Sequence, residues 1–269
     1  MKNIERFRIL VMGRANAGKT TVLQRVCNST EKPEIFDGKG NKVWSYRVQI
    51  HIDAECSQRG YHNIENELMF QSNPGFVFHD SCGFEAGATK QFDQMKNFVV
   101  DHAAAKSVKE RIHAIWFCIP MTDYHRTVTA AEQKFFNECD TGHGKDTSTT
   151  DMIAFPVIVL LTKVDALYLP ALRGLLDQGV AIAEAKERAA EVQGELLERW
   201  LDHIKHELGK CHFPPKGYVP LQKMHQESAD YSALMQCTAD VLNEEGLQRL
   251  FISTQQSNIV LCVQYAVQK

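Results

Sequence analysis

The sequence predicts an α/β fold with three layers, in which a mostly parallel, six-stranded sheet is covered by helices on both faces. Short apolar runs alternate along the chain with segments of helical periodicity, the pattern typical of this architecture. A glycine-containing turn joins the first apolar run to the first helical segment. The 269 residues are 44% hydrophobic, which is enough for one large core. We therefore expect a single domain over 1–269.

The apolar runs predict six strands, at 7–12, 64–70, 75–80, 112–119, 156–162 and 248–253. The turn "QSNPG" between the second and third strands is short, so these two should pair antiparallel. Helical periodicity predicts helices at 18–28, 90–106, 128–138, 179–208, 229–242 and 257–267. The segment at about 166–247 would then form a helical elaboration between the last two strands.

The segment "GRANAGKT" lies between the first strand and the first helix. Its spacing, G-x-x-x-x-G-K-[ST], is that of a loop whose backbone N–H groups bind phosphates together with the helix N-terminus. Glycine permits backbone angles and a close approach that a Cβ would block. In this chemistry Lys19 reaches the β- and γ-phosphates and the Thr20 hydroxyl binds Mg²⁺. An ordinary strand-to-helix turn is the alternative. The predicted nucleotide-binding residues are Gly13, Arg14, Ala15, Asn16, Ala17, Gly18, Lys19, Thr20 and Thr21.

A second motif follows the strand at 75–80. The run "GFVFHDSCG" contains D-x-x-G, from Asp80 to Gly83. A carboxylate at the carboxyl end of a strand can hold Mg²⁺, usually through water, and a glycine N–H can contact a γ-phosphate. We therefore predict that Asp80 is a metal ligand and that Gly83 senses the γ-phosphate.

A third motif closes the apolar run "FPVIVLLTKVD" with Thr162, Lys163 and Asp165. An aspartate here can accept two hydrogen bonds, from N1–H and the 2-amino group of guanine, and adenine offers no such pair. The stem of the lysine can lie on the plane of the base. The four-letter pattern T-K-x-D is weak alone, but its position after two other motifs predicts a guanine nucleotide.

Taken together, these motifs resemble the G domain of the translation-factor-related P-loop GTPases. The sequence looks most similar to the fungal G-domain-containing proteins, which are distantly related to septins and to the immunity-associated and chloroplast-import GTPases. The segments that carry this resemblance are "GRANAGKTT", "SNPGFVFHDSCGFEAG", "HAIWFCIPM", "FPVIVLLTKVDAL", "PPKGYVPL" and "LFISTQQSNIVLCVQYAV". The resemblance implies a Rossmann-like P-loop fold, GTP and GDP as ligands, and Mg²⁺ as cofactor.

The resemblance also implies a last guanine motif, S-A-x, at the end of the final strand, where a backbone N–H meets the guanine O6. Two candidates exist, at 237–239 and 253–255. We favour the second, with Ser253 and Thr254 at the base, because "RLFI" reads as a strand. The first candidate lies in a stretch with helical spacing.

Two features depart from the family pattern. The chain has no threonine from 31 to 88, where one would bind Mg²⁺, and Ser57 is the nearest hydroxyl, as a candidate ligand or a plain loop serine. Phe84 follows Gly83, where many GTPases place a glutamine that orients water. We therefore expect slow hydrolysis.

A cation-binding role is predicted for Asn16. This residue makes the phosphate loop similar to that of the tRNA-modifying and ribosome-assembly GTPases, in which the asparagine amide oxygen helps to bind K⁺. A cation beside the β- and γ-phosphates would offset developing charge in place of an arginine. The catalytic candidates are therefore Lys19, Asn16 and Gly83. Arg14 and Arg59 are alternatives for the same task, each set against a surface or structural role.

Composition argues against several other classes of function. The formal net charge of −3 gives no electrostatic footprint for nucleic acid or an anionic membrane. The eight cysteines show no zinc spacing and fit reduced thiols. The first ten residues lack the apolar run of a signal peptide, and no run approaches the length of a membrane span. We expect a cytoplasmic protein without a transmembrane segment and without a nucleic-acid partner.

Three functions stay open at this point. The first is a GTP-binding switch with slow GTPase activity, whose loops at 51–63 and 82–90 order around the γ-phosphate and which acts on an unidentified protein effector. The second is a nucleotide-bound scaffold that does not hydrolyse GTP and forms a homodimer through its nucleotide face, which Phe84 and the missing threonine favour. The third is an ATPase or small-molecule kinase, against which Asp165 argues. Partner specificity is expected in the segment that contains the helix at 179–208.

Overall fold

The computed structural model describes residues 6–43, 63–81, 89–105, 107–126, 128–139 and 155–254. The strands in these ranges are β1 (Phe7–Gly13), β2 (Glu34–Phe36), β3 (Glu67–Phe70), β4 (Asn73–Asp80), β5 (Ala114–Pro120), β6 (Val157–Thr162) and β7 (Gly217–Pro220). The α-helices are α1 (Lys19–Val26), α2 (Thr89–Ala104), α3 (Ala130–Glu138), α4 (Tyr168–Asp177), α5 (Ile182–Gly209), α6 (Ser232–Val241) and α7 (Glu245–Thr254). Two 3-10 helices, Met121–Arg126 and Val164–Leu167, follow β5 and β6.

The strands form one sheet in the order β2-β3-β4-β1-β5-β6-β7. β1 lies at its centre and pairs in parallel with β4 and β5, and parallel pairing continues through β6 to β7. On the other side, β4 pairs antiparallel with β3, and β3 with β2. The register places Val11 opposite Asp80 and Gly13 opposite Cys118. The carboxyl ends of the parallel strands therefore meet at one edge of the sheet.

Each face of the sheet carries its own buried core, because successive residues of a strand point to opposite faces. On one face, α1, α6 and α7 cover Phe7, Ile9 and Val11 of β1. On the other face, α2, α3 and α5 cover Leu10 and Met12 of the same strand. The predicted three-layer α/β architecture is confirmed.

The first five predicted strands are present, and the short turn after β3 gives the antiparallel pair that we expect. The sixth is wrong, because the residues at 248–253 lie in α7, where Phe251 packs on Phe7 with ring centroids 4.8 Å apart. Within the described ranges the sheet has seven strands rather than the six predicted. The periodicity misses β2, which has three residues, and β7, which begins with glycine and ends with proline. Both residue types are disfavoured in strands.

The helices predicted before residue 243 are confirmed, with ends that shift by a few residues, and the helix predicted at 257–267 lies outside the described residues. α4 is an addition that contains Pro170 in its first turn. α4 and α5 form the predicted elaboration between the last two strands, and they pack on each other. The segment 166–247 also contains β7, so part of it belongs to the sheet. None of the helices in the described part of the chain has the length and apolar character that crossing a membrane requires.

Two buried histidines are held in their neutral forms around Arg8. The Arg8 backbone N–H donates to His113 Nδ1 at 3.0 Å, so His113 Nε2 donates to the Val108 carbonyl at 2.8 Å. His79 Nε2 accepts from the Arg8 guanidinium at 3.3 Å, so His79 Nδ1 donates to the Ile64 carbonyl at 2.9 Å. Burial, with a smaller contribution from the Arg8 charge, lowers the pKa of His113 to about 4 and the pKa of His79 to about 3.

We predict that the free energy of unfolding decreases as the pH falls from about 6.5 to about 4. In this range the unfolded chain binds protons at both histidines and the folded chain does not, so each histidine contributes a slope of about 1.4 kcal/mol per pH unit. Urea unfolding at a series of pH values measures the slope. His113→Gln should reduce it, whereas the same change at the exposed His125 should not. An identical slope in all three proteins would contradict the neutral, buried state of His113.

Candidate functional site

The loop between β1 and α1 needs glycine at both glycine positions of its motif. Gly13 has φ +132°, and a Cβ there would overlap the carbonyl oxygen of Cys118 in β5. Gly18 has φ +80°, also in the left-handed region. The Ala17 N–H donates to the Arg14 carbonyl at 3.2 Å and closes the turn between them. The loop therefore has the open, glycine-dependent backbone that phosphate binding requires.

Lys19 begins α1 and extends back over this loop. Its ammonium donates to the carbonyl oxygens of Gly13 at 3.2 Å and Arg14 at 3.1 Å. Gly18, at the N-cap, supplies no side-chain cap, and the first turn of α1 contains no acidic residue. The helix N-terminus thus keeps its partial positive charge beside the lysine. Together these groups form an anion site, with the exposed Thr20 hydroxyl at its rim.

Asp80 ends β4, beside β1, and its side chain is buried. Burial raises the pKa of the Cys118 thiol to about 12, while the charge of Lys19 lowers it and that of Asp80 raises it. Lys19 and Asp80 therefore both act on the same thiol beneath the loop. The Asp80 carboxylate and the Thr20 hydroxyl are oxygen donors, the kind of ligand that Mg²⁺ prefers. The described residues thus fit this metal.

Several predicted site residues lie outside the described ranges. Ser57 and Arg59 are in the segment 44–62, and Gly83 is in the segment 82–88. Their proposed contacts with Mg²⁺ and with the γ-phosphate stay predictions.

β6 brings the predicted guanine motif to the same edge of the sheet. The Thr162 hydroxyl is buried and donates to the Ala17 carbonyl of the phosphate loop at 2.7 Å. Lys163 adopts a left-handed backbone, with φ 56°. Its Cε lies 3.9 Å from the position that a Cβ would take at Gly18. The two sequence motifs are therefore in direct contact.

The loop that follows β7 lies next to Asp165. The Lys223 N–H donates to Asp165 Oδ1 at 2.8 Å. Two backbone bonds fix the start of this loop: Leu221 N–H donates to the Leu161 carbonyl at 2.8 Å, and Val164 N–H donates to the Leu221 carbonyl at 3.1 Å. The sequence does not predict this loop, because β7 is itself not predicted. The apolar residues of "PPKGYVPL" are the signal that would have located it.

Ser253 and Thr254 lie elsewhere, at the end of α7. The Thr254 carbonyl accepts a bond from Asn73 Nδ2 at 3.2 Å, and its side chain packs on Gly75, where a Cβ would lie 2.9 Å from Thr254 Cγ2. Asn73 begins β4 and Asp80 ends it, so roughly 20 Å separate the two ends. The prediction that Ser253 and Thr254 contact the guanine base is therefore wrong, because these residues are at the opposite end of the strand.

A cavity of about 640 Å³ opens beside Asp165, between α5 and the loop after β7. The Gln193 side chain of α5 donates to the Val164 carbonyl at 3.1 Å, which attaches α5 to the guanine motif. The volume is within the range of small-molecule sites. The lining residues include Asp165, Tyr168, Gln193, Gly194, Pro220 and Lys223.

Arg14 is bound by α3. Its guanidinium forms two hydrogen bonds with the Glu132 carboxylate, from Nε to Oε1 and from Nη2 to Oε2, both 2.9 Å long. The two side chains are 11% and 1% exposed. Of the catalytic, surface and structural roles that the sequence left open for Arg14, the structure supports that of a structural pair.

No protein-family model and no curated protein matches this sequence. Among solved structures, the fold is similar to the septin GTPase domain from Chlamydomonas reinhardtii, with 17% identity and a TM-score of 0.32 over 60% of this chain and 53% of that one. It is also similar to a variant of Era from Aquifex aeolicus bound to GDP·AlF4⁻, with 15% identity and a TM-score of 0.41 over 89% of this chain and 58% of that one. A probable GTP-binding protein, engB, has 15% identity and a TM-score of 0.37 over 88% of this chain and 99% of that one. The matches span little more than half of the septin and Era chains, and at these identities they concern the fold alone.

Proposed function

We propose that this protein binds GTP and GDP together with Mg²⁺ and hydrolyses GTP slowly, as a molecular switch. The observation that carries the proposal is the bond from Thr162 to Ala17, because it joins the guanine motif to the phosphate loop. Lys19 follows β1 and Asp80 ends the adjacent parallel strand β4, so both lie at the same edge of the sheet. An anion site, a buried carboxylate and a base-reading motif thus converge where one nucleotide could contact all three.

The phosphates would lie along the loop between β1 and α1. Backbone N–H groups of the loop and of the α1 N-terminus would donate to them, and Lys19 would exchange its bonds to Gly13 and Arg14 for phosphate oxygens. Thr20 and Asp80 are the described residues that would hold Mg²⁺, which neutralises phosphate charge when it is bound.

The base would lie between Lys163 and the loop after β7. Asp165 would accept hydrogen bonds from guanine N1–H and the 2-amino group. The Lys223 N–H already bonds Asp165 Oδ1 and holds the carboxylate in place, and each carboxylate oxygen can accept a second bond. A backbone N–H of this loop would donate to the guanine O6, the role predicted from the sequence for 253–255.

We expect Asp165→Asn to weaken GTP binding by roughly tenfold to a hundredfold, since hydrogen bonds to a charged group each contribute about 1.5–3 kcal/mol. The asparagine amide can donate to the 2-oxo group of xanthine, so binding of xanthosine triphosphate should improve. Competition against a fluorescent guanine nucleotide measures both affinities. Asp177→Asn, on the exposed face of α4, is the matched control and should change neither. Unchanged GTP binding by Asp165→Asn would support an ATPase or kinase instead.

Among the described residues, Asn16 is the candidate ligand for a cation that would assist GTP hydrolysis. Asn16 is exposed in the phosphate loop with φ 58°, where its amide oxygen can bind K⁺ from solvent. Phe84 stands where a water-orienting glutamine is common, so a cation has more to contribute here than in GTPases with that glutamine.

We expect single-turnover cleavage of GTP with Mg²⁺ to be faster in K⁺ than in Na⁺, on the order of tenfold, and ATP to be cleaved more slowly than GTP. Asn16→Gly removes the amide without straining the left-handed backbone and should abolish the difference. Asn28→Gly, at another left-handed position outside the site, should retain it. Equal rates in the two salts would exclude a role for K⁺ in GTP cleavage. Tight guanine-nucleotide binding without cleavage would favour the scaffold that dimerises through its nucleotide face.

We propose further that 1–269 is one G domain and that the segment 166–247 determines which protein effector binds. The bond from Gln193 to Val164 supports this proposal, because it connects α5 directly to the guanine motif. Exposed apolar side chains also concentrate here: Leu169 and Leu176 of α4 and Ile182 of α5 are 69%, 39% and 65% exposed.

A further inference from the structure

We infer that Glu132 is a positioning residue for the phosphate loop: by binding Arg14, it sets the loop in the conformation that receives the β-phosphate. The inference rests on the proposed nucleotide binding. It assigns a role to a residue of α3, an element that contributes none of the predicted ligand contacts.

The Arg14 side chain is held from several directions. The two parallel bonds to Glu132 give the fork-on-fork geometry that an arginine can form with a carboxylate and a lysine cannot. Arg14 Nη2 also donates to the carbonyl of Arg126, and Nη1 lies 3.9 Å from Asp123 Oδ2. A guanidinium bound in this way has one orientation.

The Glu132 side chain is also held by its own helix. Its Oε2 accepts the Thr129 N–H at 2.6 Å, and the Thr129 hydroxyl accepts the Glu132 N–H at 3.4 Å. This reciprocal pair is a capping box at the start of α3. The carboxylate is therefore held at the start of α3 independently of its bonds to Arg14.

The pair of Arg14 and Glu132 acts on the phosphate loop through the backbone of Arg14. The Arg14 carbonyl accepts both the Ala17 N–H, at 3.2 Å, and the Lys19 ammonium, at 3.1 Å. A shift of the Arg14 side chain would thus move the acceptor that closes the turn and orients the lysine. Lys19 and the loop N–H groups are the groups that would contact the β-phosphate.

Neither charge nor stability explains the pair of Arg14 and Glu132 as well as orientation of the loop does. Glu132 neutralises Arg14, so the arginine adds little positive charge for a phosphate. Replacing a buried ion pair by apolar side chains is often neutral for stability, so burial of the pair is weak evidence for a stabilising role. Orientation of the loop is the effect that the bonded geometry explains.

The test compares GDP with GMP, which lacks the β-phosphate. In competition assays with the purified full chain, Glu132→Gln should weaken GDP binding by about tenfold to a hundredfold, the loss expected when a hydrogen bond to the charged β-phosphate is lost. GMP binding should change much less. Arg14→Lys keeps the charge but cannot form two parallel bonds, so it should show the same selective loss and decides the matter if Glu132→Gln does not fold.

Thr129→Ala is the matched control. It removes the hydroxyl from the capping box and leaves the Glu132 carboxylate on Arg14, so it should lower Tm and keep the ratio of GDP to GMP affinity. The inference is overturned if Glu132→Gln lowers both affinities equally or neither, or if Thr129→Ala lowers the ratio as much. A wild-type chain that binds neither nucleotide would instead overturn the proposed function, and the inference with it.

Discussion

The close parallel pairing of β1 with β5 is the constraint on which the site depends. It places Gly13 against the backbone of Cys118, where no side chain fits, so the chain leaves β1 along a path that only glycine can follow. That path puts the Ala17 carbonyl within reach of Thr162 on β6. Because β4 lies on the other side of β1, Asp80 arrives at the same edge. The sheet thus assembles the site from segments distant in the chain.

The parts of the site that could be predicted from sequence are those coded by local spacing after a strand. The phosphate loop, Asp80 and the T-K-x-D motif each follow an apolar run, and the structure brings them to one edge. The structure of "RLFI" could not be predicted, since this run fits either a strand or a helix and periodicity does not separate the two in so short a run. Phe251 lies in a helix and packs against Phe7 and Phe76, so tertiary packing selects the helix over the strand.

Hydrogen bonds between residues that are distant in the chain could not be predicted from the sequence either. Glu132 is 118 positions from Arg14, and nothing in either local pattern indicates the other. The same is true of Arg8 and His113, which are 105 positions apart. In both cases a polar group on β1, or just after it, is satisfied by a residue distant in the chain. The fold class was predictable because it depends on repeated periodicity, whereas these bonds depend on register.

The central position of β1 has a consequence for biosynthesis. This strand is the first of those described, yet its partners are β4 and β5, so it cannot pair until Asp80 and then Pro120 have been made. At a synthesis rate of roughly 5–20 residues per second, β1 waits several seconds for its first neighbour. During that time Ile9, Leu10 and Val11, all fully buried in the finished sheet, face water or a chaperone. Until β4 and β5 have been made, the strand that later carries the phosphate loop is therefore open to misassembly.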